Sequence, residues 1–174
     1  HLSRFVQINR SRLNTQLSRY LNMKNTLLSH DVGASEPAQL ELTIGQLLER
    51  AAHRWPEKVA LVSRHQNLRY TWKELNKAVD DFALGLVAIG LKPGDRIGIW
   101  APNCAEWTIA QFATARVGLI LVNVNPAYRT SELEYTIHKV GMAALICAET
   151  FKSSDYVAMI ESLIPGLRKG TDIL

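Results

Sequence analysis

The feature that most constrains this chain is a strict alternation of helix and strand signals after Thr71. Thr71 opens a long helix, and Glu74 three residues on completes a capping box, in which each side chain satisfies an unpaired backbone N–H at the helix start. Leu75, Ala78, Val79, Phe82, Leu86 and Ile89 recur at helical spacing and form its expected buried face, with Gly90 as C-cap. Lys92-Pro93-Gly94-Asp95 reads as a turn with proline second and glycine third, where a positive φ is needed. Arg96–Trp100 is a strand. Pro102-Asn103 turns the chain, and Asn103 is the expected cap of a helix from Cys104 to Val117. Leu119–Val124 is a strand so apolar that both sheet faces must be covered. Asn125-Pro126 breaks it. Thr130 or Ser131 is expected to cap a helix through Val140 that Gly141 stops, and Ala143–Cys147 is a further strand. A last helix follows Phe151 and ends near Pro165-Gly166.

Strands separated by helices argue for an α/β fold with a helix-covered, mainly parallel sheet. Before this unit, Thr43 caps a helix over Ile44–Arg54, with Ile44, Leu47, Leu48 and Ala51 as its apolar stripe; Trp55-Pro56 ends it, since a residue before proline avoids the α region. Val59–Ser63 and Leu68–Tyr70 read as paired strands joined through His65-Gln66-Asn67. The expected organisation is thus a basic arm over 1–30, a linker over 31–42 and an α/β subdomain over 43–174.

Charge is unevenly spread. The net charge is +4, yet residues 1–30 hold Arg4, Arg10, Arg12, Arg19 and Lys24 and no acid. The remainder has 15 basic and 16 acidic residues, so it offers no basic surface of the kind nucleic-acid binding requires. In the arm, Leu2, Phe5, Val6, Leu13, Leu17, Tyr20 and Leu21 fall roughly on one helical side. A basic, acid-free amphipathic segment fits a mitochondrial transit peptide, and it also fits a solvated lead-in helix. Asp31 to Gln39, with Gly33, Ser35 and Pro37, reads as linker. No stretch reaches ~18 consecutive apolar residues, so no transmembrane helix is expected. Cys104 and Cys147 lack CxxC spacing and read as two free thiols in a reducing compartment.

The sequence carries few chemical motifs. It has no GxxxxGK[ST] loop, no GxGxxG after a strand and no GxSxG elbow. His1, His30, His53, His65 and His138 have no metal-ligand spacing, and His138 reads as a surface residue. Asp80 and Asp81 are adjacent on a helix, so they point apart and read as a solvated face rather than an acid/base pair. Trp55, Trp72, Trp100 and Trp107 are too scattered for a base-stacking platform. No catalytic, cofactor-binding or metal-ligating residue is assigned.

Three ordered segments carry a resemblance. They are Leu68-Arg69-Tyr70-Thr71-Trp72-Lys73-Glu74-Leu75; Gly90-Leu91-Lys92-Pro93-Gly94-Asp95-Arg96-Ile97 with Pro102-Asn103 and Glu106-Trp107; and Ala115-Arg116-Val117-Gly118 leading to Leu121–Arg129 and Glu132-Leu133-Glu134-Tyr135. Together they resemble the N-terminal region of the adenylate-forming superfamily, specifically the fatty acyl-CoA synthetases, and the wording of the third is most similar to the mitochondrial medium-chain type. The resemblance implies that the chain is the first portion of the large N-terminal domain of such an enzyme. It implies an acid–thiol ligase that converts a fatty acid to an acyl-adenylate with ATP and Mg2+, and then to the thioester with coenzyme A. The family elements that hold ATP, the metal and the ribose, and the C-terminal lysine, are not found in this sequence. The 174-residue chain by itself is therefore expected to bind none of these cofactors and to be inactive.

The matched segments are accounted for by capping and turn chemistry. Asn125 and Tyr128 differ, because they lie past the carboxyl end of a strand, where open α/β sheets bind ligands; they are the candidate substrate-side residues. The expected partners are the remainder of the enzyme's own chain and a fatty acid, with no nucleic acid. The chain begins at His1 rather than Met, and Leu163–Leu174 reads as a chain interrupted within a domain. A rival reading is a truncated, non-catalytic α/β partner or binding module.

Overall fold

A computed structural model describes residues 33–34 and 40–165. The chain divides into His1–Leu40 and Glu41–Leu174, and every element below belongs to the second unit. The amphipathic stripe of the arm and residues 166–174 lie outside the described residues.

Helix α1 spans Ile44–Arg54. Gln46 N–H donates to Thr43 Oγ1 at 3.2 Å, and Thr43 N–H donates to Gln46 Oε1 at 2.8 Å, a reciprocal cap. Only Leu48 of the expected apolar stripe is fully buried; Ile44 and Leu47 are about half exposed. The contact face runs through Gly45 and Leu48 instead. A Cβ at Gly45 would stand 3.3 Å from the Cα of Arg116, so a larger residue there would need the neighbouring backbone to move by a few tenths of an ångström.

Strands β1 (Val59–Ser63) and β2 (Leu68–Thr71) form an antiparallel hairpin. Its turn places Asn67 at φ +53°, a region asparagine tolerates better than most residues. Helix α2 covers Trp72–Ala88 behind the Thr71–Glu74 capping box. It buries Leu75, Val79, Ala83 and Leu86. Ile89, expected on this face, is half exposed, because the helix ends at Ala88 and the chain swings away at Gly90 (φ +91°). The following turn is as expected: Gly94 has φ +91° and Asp95 N–H donates to Lys92 C=O at 3.0 Å.

The central sheet contains β3 (Arg96–Trp100), β4 (Ile120–Asn123) and β5 (Met142–Cys147) in the order β4–β3–β5, with both pairings parallel. Helix α3 (Ala105–Arg116) connects β3 to β4, and α4 (Thr130–Val140) connects β4 to β5. A short hairpin that carried no sequence signal, β6 (Thr150–Phe151) with β7 (Ser154–Asp155), leads into α5 (Tyr156–Leu163).

Alternation along the strands sends successive side chains to opposite faces, and each face has its own core. The first joins α1, α2 and α3 to the sheet through Leu48, Leu75, Val79, Leu86, Ile97 and Ala113, with Ala144 and Ile146 against them. The second joins α4 and α5 through Trp100, Val124, Leu133, Tyr156 and Ile160, with Leu145 and Cys147 against them. The central strand β3 is therefore buried on both faces, whereas β4, expected from its apolar run to be covered on both, lies at the sheet edge with Ile120 about half exposed, and only Leu119 and Val124 flanking it are buried.

A polar clasp holds the three helices of the first face. The Arg116 guanidinium pairs with the Asp80 carboxylate, donates to Asn76 Oδ1 at 2.9 Å and to Gly45 C=O at 3.3 Å. Asp81, on a different side of the helix, pairs with Lys77 in solvent. The two carboxylates do point apart, but only Asp81 belongs to a solvated face, since Asp80 is committed to a neighbouring helix.

Candidate substrate-side loop at the carboxyl edge of the sheet

All three parallel strands end on the same edge, at Trp100, Asn123 and Cys147. Asn125–Arg129 leaves β4 there and starts α4. Its shape is built by hydrogen bonds from several directions. Asn125 Oδ1 accepts from Ala127 N–H at 2.9 Å, a side chain closing its own turn. Tyr128 N–H donates to Asn125 C=O at 3.0 Å. Trp100 Nε1–H donates to the same carbonyl at 3.1 Å, and the Tyr156 hydroxyl donates to Pro126 C=O. Arg129 Nη1 donates to Ser154 Oγ at 2.6 Å, which links the loop to the β6–β7 hairpin.

Trp100 and Tyr156 are both fully buried and stacked, with ring centroids 3.6 Å apart and planes 11° from parallel. Burial, and secondarily the neighbouring Cys147, raises the Tyr156 phenol above its ordinary range, so the hydroxyl remains a donor at neutral pH. The backbone of a surface loop is thus pinned by two core aromatics.

The two candidate residues share this loop but have different roles. The Asn125 side chain is used in the turn. Tyr128 is about a third exposed and lines an open cleft of about 270 Å3 with Ser131, Glu132, Tyr135 and Thr136. The sequence pointed to neither Trp100 nor Tyr156 as a support. Trp100 at a strand end was a signal for one, because a buried indole N–H needs an acceptor; Tyr156, first in a short helix, gave none.

Helix starts at this edge could in principle hold an anion. In this chain each already holds a side-chain acceptor. The α3 start is not capped by Asn103, as expected from sequence; Cys104 occupies the N-cap position without a side-chain bond. Gln66, from the β1–β2 turn, reaches across and accepts from Ala105 N–H at 2.8 Å, while its amide donates to Glu106 at 2.8 Å. That amide, more than any other contact, holds the Glu106 carboxyl below its usual range. At α4 the N-cap position is Arg129 rather than Thr130 or Ser131, since Thr130 is already helical. There Glu132 accepts from Arg129 N–H at 3.0 Å and places a negative charge where a phosphate would go. At α5, Asp155 accepts from Ala158 N–H at 2.9 Å.

Nucleotide phosphates would meet carboxylates at α4 and α5 and an occupied amide at α3. The one arginine of the loop, Arg129, is engaged by Ser154. Among the described residues no group of three or more His, Cys, Asp or Glu side chains could hold a metal ion. At these helix starts the described side chains thus oppose a phosphate rather than receive one. Cys104 and Cys147 are free thiols, and burial raises both above the ordinary thiol range, which leaves them protonated and weakly nucleophilic at neutral pH. Among the described residues no helix is long and apolar enough to cross a membrane.

Comparison with known proteins agrees with this architecture. The chain is 42% identical over 142 residues to the medium-chain acyl-CoA ligase ACSF2, mitochondrial, of Mus musculus, which covers 82% of this chain and 23% of the relative. It is 44% identical over 138 residues to the protein of the same name from Homo sapiens, covering 79% of this chain and 22% of that one. The chain thus spans about a quarter of the length of the curated relatives it matches. Among solved structures, the N-terminal domain of FACL13 from Mycobacterium tuberculosis superposes with a TM-score of 0.64 at 23% identity, covering 75% of this chain and 30% of that one; this likeness speaks to the fold. The sequence model of the family described as AMP-binding enzyme matches residues 48–173, most of the chain. The three ordered segments read from the sequence fall within the same span, and the chain belongs to the AMP-binding enzyme family.

Proposed function

We propose that this chain is the opening α/β scaffold of an ATP-dependent acid–thiol ligase acting on medium-chain fatty acids. The observation that carries the reading is the family match over residues 48–173, together with 42% identity to a medium-chain acyl-CoA ligase. In the intact enzyme the fatty acid carboxylate would attack the α-phosphate of ATP, and the thiol of coenzyme A would then displace AMP. ATP, Mg2+ and coenzyme A are assigned to polypeptide beyond these 174 residues, because the helix starts described above are closed to phosphate. The role assigned to this chain is to build the parallel sheet and to present Tyr128 toward the acid substrate.

The test is exchange of radiolabelled pyrophosphate into ATP. The complete enzyme should show exchange that depends on added octanoate, and the 174-residue chain should remain at background. Exchange by the chain alone would overturn the assignment of the phosphate groups. No acid-dependent exchange by the complete enzyme would overturn the ligase reading and leave a non-catalytic partner.

The reading extends to location. The basic, acid-free composition of residues 1–30 and the mitochondrial names of the relatives support residence in mitochondria. Residues 1–42 fused to a fluorescent protein should direct it to mitochondria; a diffuse signal would reject targeting by the arm.

A further inference from the structure

A connection between a strand and a helix needs only a few residues and ordinary turn chemistry, and the Asn125 turn supplies that locally. The additional tethers are not needed to make the turn. Two fully buried aromatic side chains each direct their single polar hydrogen at consecutive carbonyls of one exposed loop, Trp100 at Asn125 and Tyr156 at Pro126. A third tether, from Arg129 to Ser154, fixes the far end of the loop. Between these fixed points stands Tyr128, the loop's exposed aromatic residue, over an open cleft. Pinning a loop in this way removes its conformational freedom before any ligand arrives, and so lowers the ordering cost of recognition.

We infer that Trp100 and Tyr156 are positioning residues, which hold the Asn125–Arg129 loop so that Tyr128 is preset for the carboxylic acid substrate. This rests on the substrate-side reading of Tyr128. Neither aromatic ring reaches the surface, so neither touches substrate itself; each acts through the loop carbonyl it holds.

The experiment uses the complete enzyme with Tyr156→Phe, Tyr128→Ala and the pair combined. Phenylalanine keeps the stack on Trp100 and removes only the hydroxyl. Tyr156→Phe should raise KM for the fatty acid ~fivefold, about the worth of one net hydrogen bond. The KM for ATP and kcat should stay within about twofold, the resolution needed to separate them. In the Tyr128→Ala background the same change should add nothing, because its route runs through Tyr128. An unchanged acid KM in Tyr156→Phe, with Tyr128→Ala impaired, would overturn the positioning role alone. An unchanged acid KM in Tyr128→Ala would remove the substrate-side reading and the positioning role with it. Full additivity of the two changes would show that Tyr156 acts by another route and would also overturn the proposal.

Discussion

Replacing Trp100 by alanine is expected to cost about 3–5 kcal/mol of folding stability, the range for removing a large aromatic from a core. The indole is fully buried, stacks on Tyr156 and packs in the core that contains Val124, Leu133 and Met159. Its loss leaves a large apolar void, because the neighbours come from three separate elements and cannot all close on it. It also deprives the Asn125 carbonyl of a donor, although Tyr128 N–H continues to serve that atom. Domains of this size have about 5–15 kcal/mol in hand, so the variant should lie close to the unfolding threshold. Urea denaturation followed by circular dichroism measures the effect, and a loss below about 1 kcal/mol would contradict the packing described here.

The second large effect is expected at Arg116. Truncation to alanine removes the polar links from α3 to both α1 and α2, and should cost about 2–4 kcal/mol, the scale of a partly buried pair with charge-assisted bonds. The figure sits below that of a fully buried pair because Asp80 is about half exposed and water can replace part of what it loses. Lys77 provides the internal comparison. Its bond to Asp81 is 2.6 Å long, but both side chains are mostly in solvent, so Lys77→Ala should change stability by less than about 0.5 kcal/mol. Arg116→Lys should recover little, since a single ammonium cannot reproduce the fork that reaches Asp80, Asn76 and Gly45 together. Thermal unfolding of the three variants tests the ranking, and equal losses for Arg116→Ala and Lys77→Ala would reject it.

Much of the fold was legible because its signals are local. Thr71 and Glu74 mark a helix start within four residues, and Gly94 and Gly141 occupy the positive-φ positions their turns demand. The misses at α3 and α1 share one cause, which is that the deciding partner is distant in sequence, whereas the α4 cap and Ile89 were decided locally. Asn103 was the expected cap of α3, yet Gln66 performs that work from 39 residues away. Ile44, Leu47 and Ile89 satisfy helical periodicity but are exposed, because close approach at Gly45 and an early helix end at Ala88 set the actual contact faces. In the candidate loop, the position of Tyr128 past a strand end was visible, whereas the supports beneath it were not. Trp100 and Tyr156 come from different elements, and nothing in their local sequence says that their polar atoms converge on consecutive carbonyls.

The five described helices also differ in what their first turn depends on. Four of them begin with a cap drawn from within three residues, so their starting points can be set while the rest of the chain is still unfolded. Helix α3 borrows its cap from the hairpin turn at Gln66, so its starting point belongs to the tertiary structure and not to its own sequence. Loosening the β1–β2 turn would therefore take the acceptor from the first turn of a helix that follows it by about forty residues, while β3 beside it stays held by its pairing with β4 and β5.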